Sequence, residues 1–281
     1  MKATPYISLL AFFTSFEAAN AQNTVQIELK PGGQAAAAAG AVQVQISASS
    51  GATATVAAPA KPVVQAPDVA APKVMPTGEI NPGFASRHEA FVAIARENKA
   101  KLLFLGDSIT AGWAGQKNTW ESAFGKYQPA NFGIGGDRTQ HVLWRISNGE
   151  LDGFTPKTVV LMIGTNNSSS DTEEGIASGI RKIVEFIRKK SPETQILLLA
   201  VFPRGEKAEN NVLRTKLTAV NKRIAELHDE KKVFFLDIGS KFLEADGSLT
   251  KEIMPDFLHL SAKGYQIWAD AIAASLERLM K

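Results

Sequence analysis

From Ser86 onward the chain alternates between two hydrophobic patterns. Leu102-Leu103-Phe104-Leu105, Val159-Val160-Leu161-Met162-Ile163, Ile196 to Val201 and Val233-Phe234-Phe235-Leu236 are short, nearly all-apolar runs. Such runs suit strands buried on both faces of a parallel sheet. Between them apolar residues recur at helical spacing. Ile176, Ile180, Ile183, Val184 and Ile187 form one face, Leu213, Leu217, Val220, Ile224 and Leu227 a second, and Tyr265, Trp268, Ile272, Leu276 and Leu279 a third. A shorter strand near Ala130-Asn131-Phe132 brings the expected count to five. Strand and helix alternating at this spacing give right-handed βαβ units. The expected fold is therefore α/β, a three-layer α/β/α sandwich around a five-stranded parallel sheet. Ligands of such open sheets bind beyond the carboxyl ends of the strands.

The first 82 residues follow neither pattern. Lys2, the apolar stretch Ile7 to Phe16 and Ala19-Asn20-Ala21 predict a secretory signal over residues 1–21. Residues 22–82 hold the alanine run Ala35 to Ala39, six of the 13 prolines, between Pro59 and Pro82, and no aromatic residue. Without large apolar side chains this stretch has no material for a core, so it reads as a semi-extended linker. Val25 to Leu29 and Val42 to Ile46 alternate with period two and could pair as a hairpin. A lone strand pair is marginal in water, which favours the linker reading. The folded domain is expected over residues 83–281.

Composition narrows the function classes. The chain carries 31 basic and 28 acidic residues, so its net charge is only +3. Lys189-Lys190 and Lys231-Lys232 read as solvated helix ends, and no nucleic-acid footprint is evident. No later stretch approaches the ~20 apolar residues of a membrane span, so no stable membrane insertion is expected. There is no cysteine, hence no disulfide and no thiolate chemistry. With an export signal this fits a bacterial periplasm or exterior.

Candidate chemistry sits in three short words at strand ends or in the last loop. In Gly106-Asp107-Ser108 the serine directly follows the first strand. As a tripeptide this fits a nucleophile and a helix N-cap equally well. It is not a G-x-S-x-G elbow, because position 110 is Thr. Of the four histidines, His88 and His228 stand in charge-rich helical surroundings and read as surface residues, and His141 lies in a helix expected over Thr139 to Ile146. His259 alone has a carboxylate at short spacing, Asp256, in a loop before the last helix. In an Asp-x-x-His turn the carboxylate can hold one ring nitrogen while the other faces outward. The third word is Gly164-Thr165-Asn166-Asn167, where the Asn166 amide is either a turn former or a donor to a developing oxyanion. Gly133-Ile134-Gly135-Gly136-Asp137 after the second strand fits an oxyanion donor or a plain tight turn. The dinucleotide spacing fails, because position 138 is Arg.

Gly106-Asp107-Ser108, Gly136, Asn166 and Asp256-x-x-His259 occur in the order of the four blocks of the SGNH (GDSL-type) hydrolases, and residues 86–281 resemble that family. The similarity is tighter still to the catalytic subunits of intracellular platelet-activating-factor acetylhydrolase. It rests on Asn131 to Asp137, His141 to Arg145, Asn148 to Leu151, Pro203 to Lys207 and Asp256 to Leu260. The resemblance implies a flavodoxin-like sheet, Ser108 as nucleophile, His259 as general base and then acid, and Asp256 as its orienter. It further implies the Ser108 and Gly136 backbone N–H groups and the Asn166 side chain as oxyanion donors. It implies no cofactor and no metal, and no ligand spacing for a metal is present. Trp144, Arg145, Arg204 and Lys207 lie in matching stretches, where structural roles are the default reading.

The expected activity is serine ester hydrolysis removing a short acyl group, acetyl first, from an extracellular carbohydrate through an acyl-enzyme. Those subunits are cytosolic, so their lipid substrate does not transfer directly. A lipid-directed esterase of lysophospholipase or platelet-activating-factor acetylhydrolase type is the second reading. A catalytically inactive glycan-binding protein is the third, and the intact Ser-Asn-Asp-His set speaks against it. The related subunits form dimers, so a homodimer is the oligomer the resemblance allows.

Overall fold

The computed structural model describes residues 65–281 and two short strands ahead of them, Ile46–Ser47 and Thr53–Ala54, which pair antiparallel. The expected signal at 1–21 and the alternating stretch at 25–29 lie outside the described residues. The chain divides into a unit over Met1–Ala58 and a unit over Pro59–Lys281, and the site discussed below belongs wholly to the second.

That second unit is built on five parallel strands: β1 (Leu102–Gly106), β2 (Pro129–Gly133), β3 (Thr158–Met162), β4 (Gln195–Leu199) and β5 (Val233–Leu236). Their order is β2-β1-β3-β4-β5. All five expected strands are present, with ends shifted by one or two residues from the apolar runs. The runs are continuous because period-two alternation sends successive side chains to two different cores. Leu103, Leu105, Val159, Leu161, Ile196 and Leu198 enter one core. Leu102, Phe104, Val160, Met162, Leu197 and Leu199 enter the other.

Helices α1 (Pro82–Glu97), α4 (Thr139–Arg145), α5 (Glu173–Lys190) and α6 (Val212–Ala225) cover the first face. The short α2 (Ser108–Ala111) and α3 (Lys117–Phe124), with the final α7 (Ala262–Leu279), cover the second. The result is the α/β/α sandwich. Helix α5 shows how locally its sequence specifies it. Thr172 caps it by accepting from the Gly175 N–H at 3.1 Å, and Glu173 and Glu174 open it. Arg188, Lys189 and Lys190 close it, so both ends oppose the macrodipole. Among the described residues no helix is long and apolar enough to cross a membrane.

Two features depart from the sequence reading. His88, expected at the surface, is buried, and its Nδ1 lies 3.0 Å from Glu150. The reason is its register on α1, where Phe84, His88, Phe91 and Ala95 form the inward face. The second concerns the stretch before residue 82. From Pro67 it lies against the domain: Ala71 N–H donates to the Gln140 carbonyl at 3.1 Å, and Thr139 Oγ1 donates to the Pro67 carbonyl at 2.7 Å. Hydrogen bonds, the Lys73–Asp137 ion pair and the small buried Ala71 hold it there, none of which an alanine- and proline-rich composition announces.

Candidate active site

Ser108 is placed by the turn that follows β1. Asp107 caps α2, its Oδ1 accepting from the Ile109 N–H at 2.9 Å. Gly106 before it has no room for a side chain, because a Cβ there would collide with the Met162 carbonyl oxygen and the Thr110 hydroxyl. The turn therefore packs tightly on β3 and leaves Ser108 half-buried at the sheet's carboxyl edge. Since Asp107 does the capping, the Ser108 hydroxyl is free for another partner.

That partner is His259. Ser108 Oγ lies 2.9 Å from His259 Nε2, and His259 Nδ1 lies 2.6 Å from Asp256 Oδ2. Asp256 Oδ1 also accepts from the Leu258 and His259 backbone N–H groups at 3.1 and 2.7 Å. Phe257 closes this turn in the left-handed region at φ 58°, a conformation costly for a side chain as large as phenylalanine. Its N–H and carbonyl are both used, by the Met254 carbonyl and the Gly205 N–H, each at 2.8 Å. Burial works against the Asp256 charge, but the hydrogen bonds from the His259 ring and the two N–H groups outweigh it. The carboxyl therefore titrates below its usual range. An ionised Asp256 holds the imidazole proton on Nδ1, which leaves the Nε2 lone pair facing the serine O–H.

Two elements bring the remote halves together. Helix α7 follows His259, and its Tyr265 hydroxyl donates to the Ile109 carbonyl at 2.7 Å. Trp113, Trp120, Phe124 and Trp268 pack around Phe104, and the Tyr265 ring packs on Trp113. On the other side, Arg204 Nη1 donates to the Thr165 carbonyl at 3.1 Å, and the next residue, Gly205, bonds to Phe257. Arg204 thus ties the Asn166 turn to the His259 loop, a structural role that burial permits while lowering the guanidinium pKa.

The loop Gly133–Asp137 completes the crevice. A Cβ on Gly135 would lie 4.0 Å from Ser108 Cβ, so the loop runs beside the serine. Gly136 adopts φ 71°, which presents backbone where other residues would be strained. Asn166 Nδ2 donates to the Asp137 carbonyl at 2.9 Å, which puts the amide on the same loop. Ser108, Gly136, Asn166, Asp256 and His259 are thus brought to one edge. Asn167, by contrast, is buried and bonds to Thr139, Gln140 and Asp171. His141 stays neutral, since burial first and then Lys73, Arg138 and Arg145 push its pKa down to about 3. Its Nδ1 accepts from the Arg138 N–H at 3.1 Å, and its 3.9 Å approach to Asp137 is therefore not an ion pair. Among the described residues no cluster has the makings of a metal site.

Four charged groups to which the motif reading gave no catalytic part gather at this edge. Asp137 and Arg145 are fully buried and paired at 2.9 Å, and Lys73 pairs with Asp137 from the preceding segment. Asp107 is itself fully buried, with Oδ2 lacking a partner. Burial pushes its carboxyl up to about 7, the Ile109 N–H opposes that, and Asp137 adds to it. The sign follows directly. A carboxyl with a raised pKa favours the fold while protonated, below its ordinary value of 3.8, and that advantage is lost as pH rises to about 7. Asp107→Asn keeps the cap and removes the titration. Between pH 4 and pH 8 the variant should gain about 4 kcal/mol relative to the parent, from ~1.36 kcal/mol per pKa unit. Urea unfolding across that range checks it, and parallel curves for the two proteins would refute it.

The family model described as GDSL-like lipase/acylhydrolase matches residues 104–267. The chain is 39% identical over 196 residues to platelet-activating factor acetylhydrolase IB subunit alpha1 of Rattus norvegicus, covering 69% of this chain and 83% of that protein. It is 41% identical over 181 residues to subunit alpha2 of the same organism, covering 64% and 77%. A carbohydrate acetylesterase family member from Sinorhizobium meliloti superposes with a TM-score of 0.52 at 17% identity, covering 64% of this chain and 99% of that one. With strand order, site order and sequence identity in agreement, the chain belongs to the GDSL-like lipase/acylhydrolase family and is a carboxylic ester hydrolase.

Proposed function

We propose that the protein removes acetyl groups from an O-acetylated carbohydrate outside the cytoplasm, through a Ser108-His259-Asp256 triad. The observation that carries the triad is the unbroken line from Ser108 Oγ to His259 Nε2 at 2.9 Å and from Nδ1 to Asp256 at 2.6 Å. Ser108 Oγ attacks the acyl carbon while His259 Nε2 takes its proton. The tetrahedral oxyanion is met by the Ser108 and Gly136 N–H groups and the Asn166 amide. Collapse expels the alcohol, which receives the proton from His259. Water, activated by the same imidazole, then releases the acid.

The substrate reading rests on the shape of the edge. The His259 and Asp256 side chains are 46% and 55% exposed, so the catalytic line is an open surface. A cavity of about 640 Å³ lies near Trp113, Trp120 and Gly133 against β2, and its lining includes none of Ser108, Asn166, Asp256 or His259. An open edge suits a small acyl group presented by a bulky alcohol. The expected export signal over residues 1–21 points to an extracellular alcohol.

A second reading is favoured by the 39% identity to platelet-activating factor acetylhydrolase subunits: the acetyl group sits on a phospholipid. Hydrolysis of an O-acetylated oligosaccharide beside an acetylated alkyl-phospholipid, with p-nitrophenyl acetate and octanoate as references, separates the two. Preference for the sugar and at least a ~10-fold loss from acetate to octanoate are expected, since even one methylene changes pocket binding by a factor of 10 or more. Faster turnover of the phospholipid selects the second reading, and equal rates on octanoate defeat the short-acyl assignment.

A further inference from the structure

The segment ahead of α1 reaches the crevice through one side chain. Asp68 accepts from Ser178 Oγ at 2.8 Å, the Asn81 N–H donates to the Lys73 carbonyl at 2.8 Å, and Val74 bridges Ile80. Between these anchors Lys73 points into the loop Gly133–Asp137. Its ammonium donates to the Gly135 carbonyl at 2.6 Å and pairs with Asp137 Oδ1 at 2.9 Å. The Lys73 side chain is only 20% exposed, and that of Asp137 is fully buried. Lys73 precedes the residues 104–267 that carry the family match.

Behind the loop Asp137, Arg145 and Glu150 are linked through buried contacts. Asp137 Oδ2 accepts from Arg145 Nε at 2.9 Å, and Arg145 Nη1 pairs with Glu150 at 2.5 Å. Arg145 Nη2 also donates to the Phe132 carbonyl at 3.1 Å, so the cation is spent on the strand and the two carboxylates. The far oxygen of Glu150 lies 3.0 Å from His88 Nδ1. Two carboxylates, Asp137 and Glu150, are matched by two cations, Arg145 and Lys73. Asp137 Oδ1 is met by the Lys73 ammonium. Burial pushes the Asp137 carboxyl up, while Arg145 and Lys73 pull it back. Without Lys73 the set is one negative charge in excess, in the residue next to Gly136.

We propose that Lys73 is a positioning residue for ester hydrolysis, holding the Gly136 loop from outside and cancelling the Asp137 charge so that the oxyanion forms in a field that does not repel it. This rests on the reading of Gly136 as an oxyanion donor to the Ser108 adduct. Charge that builds only in the transition state is sensitive to fixed charge in its low-dielectric surroundings. Loss of Lys73 should therefore lower kcat and leave KM nearly alone.

The test is steady-state hydrolysis of p-nitrophenyl acetate by the full chain carrying Lys73→Met, Lys73→Arg, or Lys73→Met with Asp137→Asn, beside Ser108→Ala. Lys73→Met should lower kcat by about 10–100-fold, short of the ~10²–10³ for losing an oxyanion donor outright, with KM within about twofold. Lys73→Arg keeps the charge and should stay within about threefold of the parent. In the double variant a neutral amide at position 137 restores the balance, and kcat should recover at least about fivefold over Lys73→Met alone. A purely structural lysine would give no such rescue, since the double variant has lost both partners. An unchanged kcat in Lys73→Met, or a double variant no faster than the single one, overturns the proposal. Full turnover in Ser108→Ala would instead overturn the triad reading beneath it.

Discussion

Ser108→Ala is expected to lower ester turnover by a factor on the order of 10³ or more and to leave the fold as stable as before. The two halves of that expectation have separate physical grounds. The chemical half follows from the 2.9 Å contact with His259, since without Oγ the imidazole has no proton to take and no acyl-enzyme can form. The structural half follows from the turn. Asp107 supplies the cap, Gly106 makes the close approach to β3, and Tyr265 holds the Ile109 carbonyl, so the Ser108 side chain makes no bond within the turn that alanine would lose. Alanine is also the better helix former at the start of α2. In the proposed triad the groups act as a unit, so His259→Ala should cost a similar factor, and combining the two should cost little more. Hydrolysis of p-nitrophenyl acetate and trapping of the acylated protein by mass measure the effect. A Ser108→Ala protein retaining more than about a tenth of the parent rate would remove Ser108 as nucleophile.

The sequence exposed this site because most of its determinants are local. Asp256 and His259 are three residues apart, and the whole carboxylate–imidazole–backbone arrangement closes inside one turn. Ser108 follows an apolar run whose length marks where β1 must end. The strands were legible because burial on both faces leaves no polar position in the run, and α5 because one apolar face recurs over its 18 residues. What the sequence hid has the opposite character. Lys73 meets Gly135 across 62 positions, from a stretch whose alanines and prolines describe a linker and say nothing of what it leans on. His88 is flanked by Arg87 and Glu89, which suggest solvent, yet its register with Phe84 and Phe91 places it inside. Asp107 reads as part of a motif, and nothing in that tripeptide marks its full burial. Arg145 and Arg204 stood in recognisable stretches, but the atoms they bind lie on other segments.

Asn166→Ala should lower kcat by roughly 10²–10³, which corresponds to about 2.7–4 kcal/mol of transition-state stabilisation. The amide carries two N–H groups, and one of them is committed to the Asp137 carbonyl at 2.9 Å. That bond fixes the amide beside the loop before any charge appears, and in the proposed mechanism the second N–H meets the oxyanion. A donor fixed in advance needs no reorganisation when the oxyanion forms, which is the source of its large effect. Alanine removes both bonds, and their contributions are separable. The ground-state bond to Asp137 is worth about 1 kcal/mol of stability, readable by urea unfolding, and contributes little to KM. The oxyanion bond exists only in the transition state and is read in kcat. Asn166→Asp sharpens the comparison, because a carboxylate offers no donor and sets a negative charge against both the Asp137 carbonyl and the oxyanion. It should be slower than Asn166→Ala. If Asn166→Ala loses stability but keeps the parent kcat, Asn166 only anchors the loop, and the oxyanion is left to the Ser108 and Gly136 N–H groups.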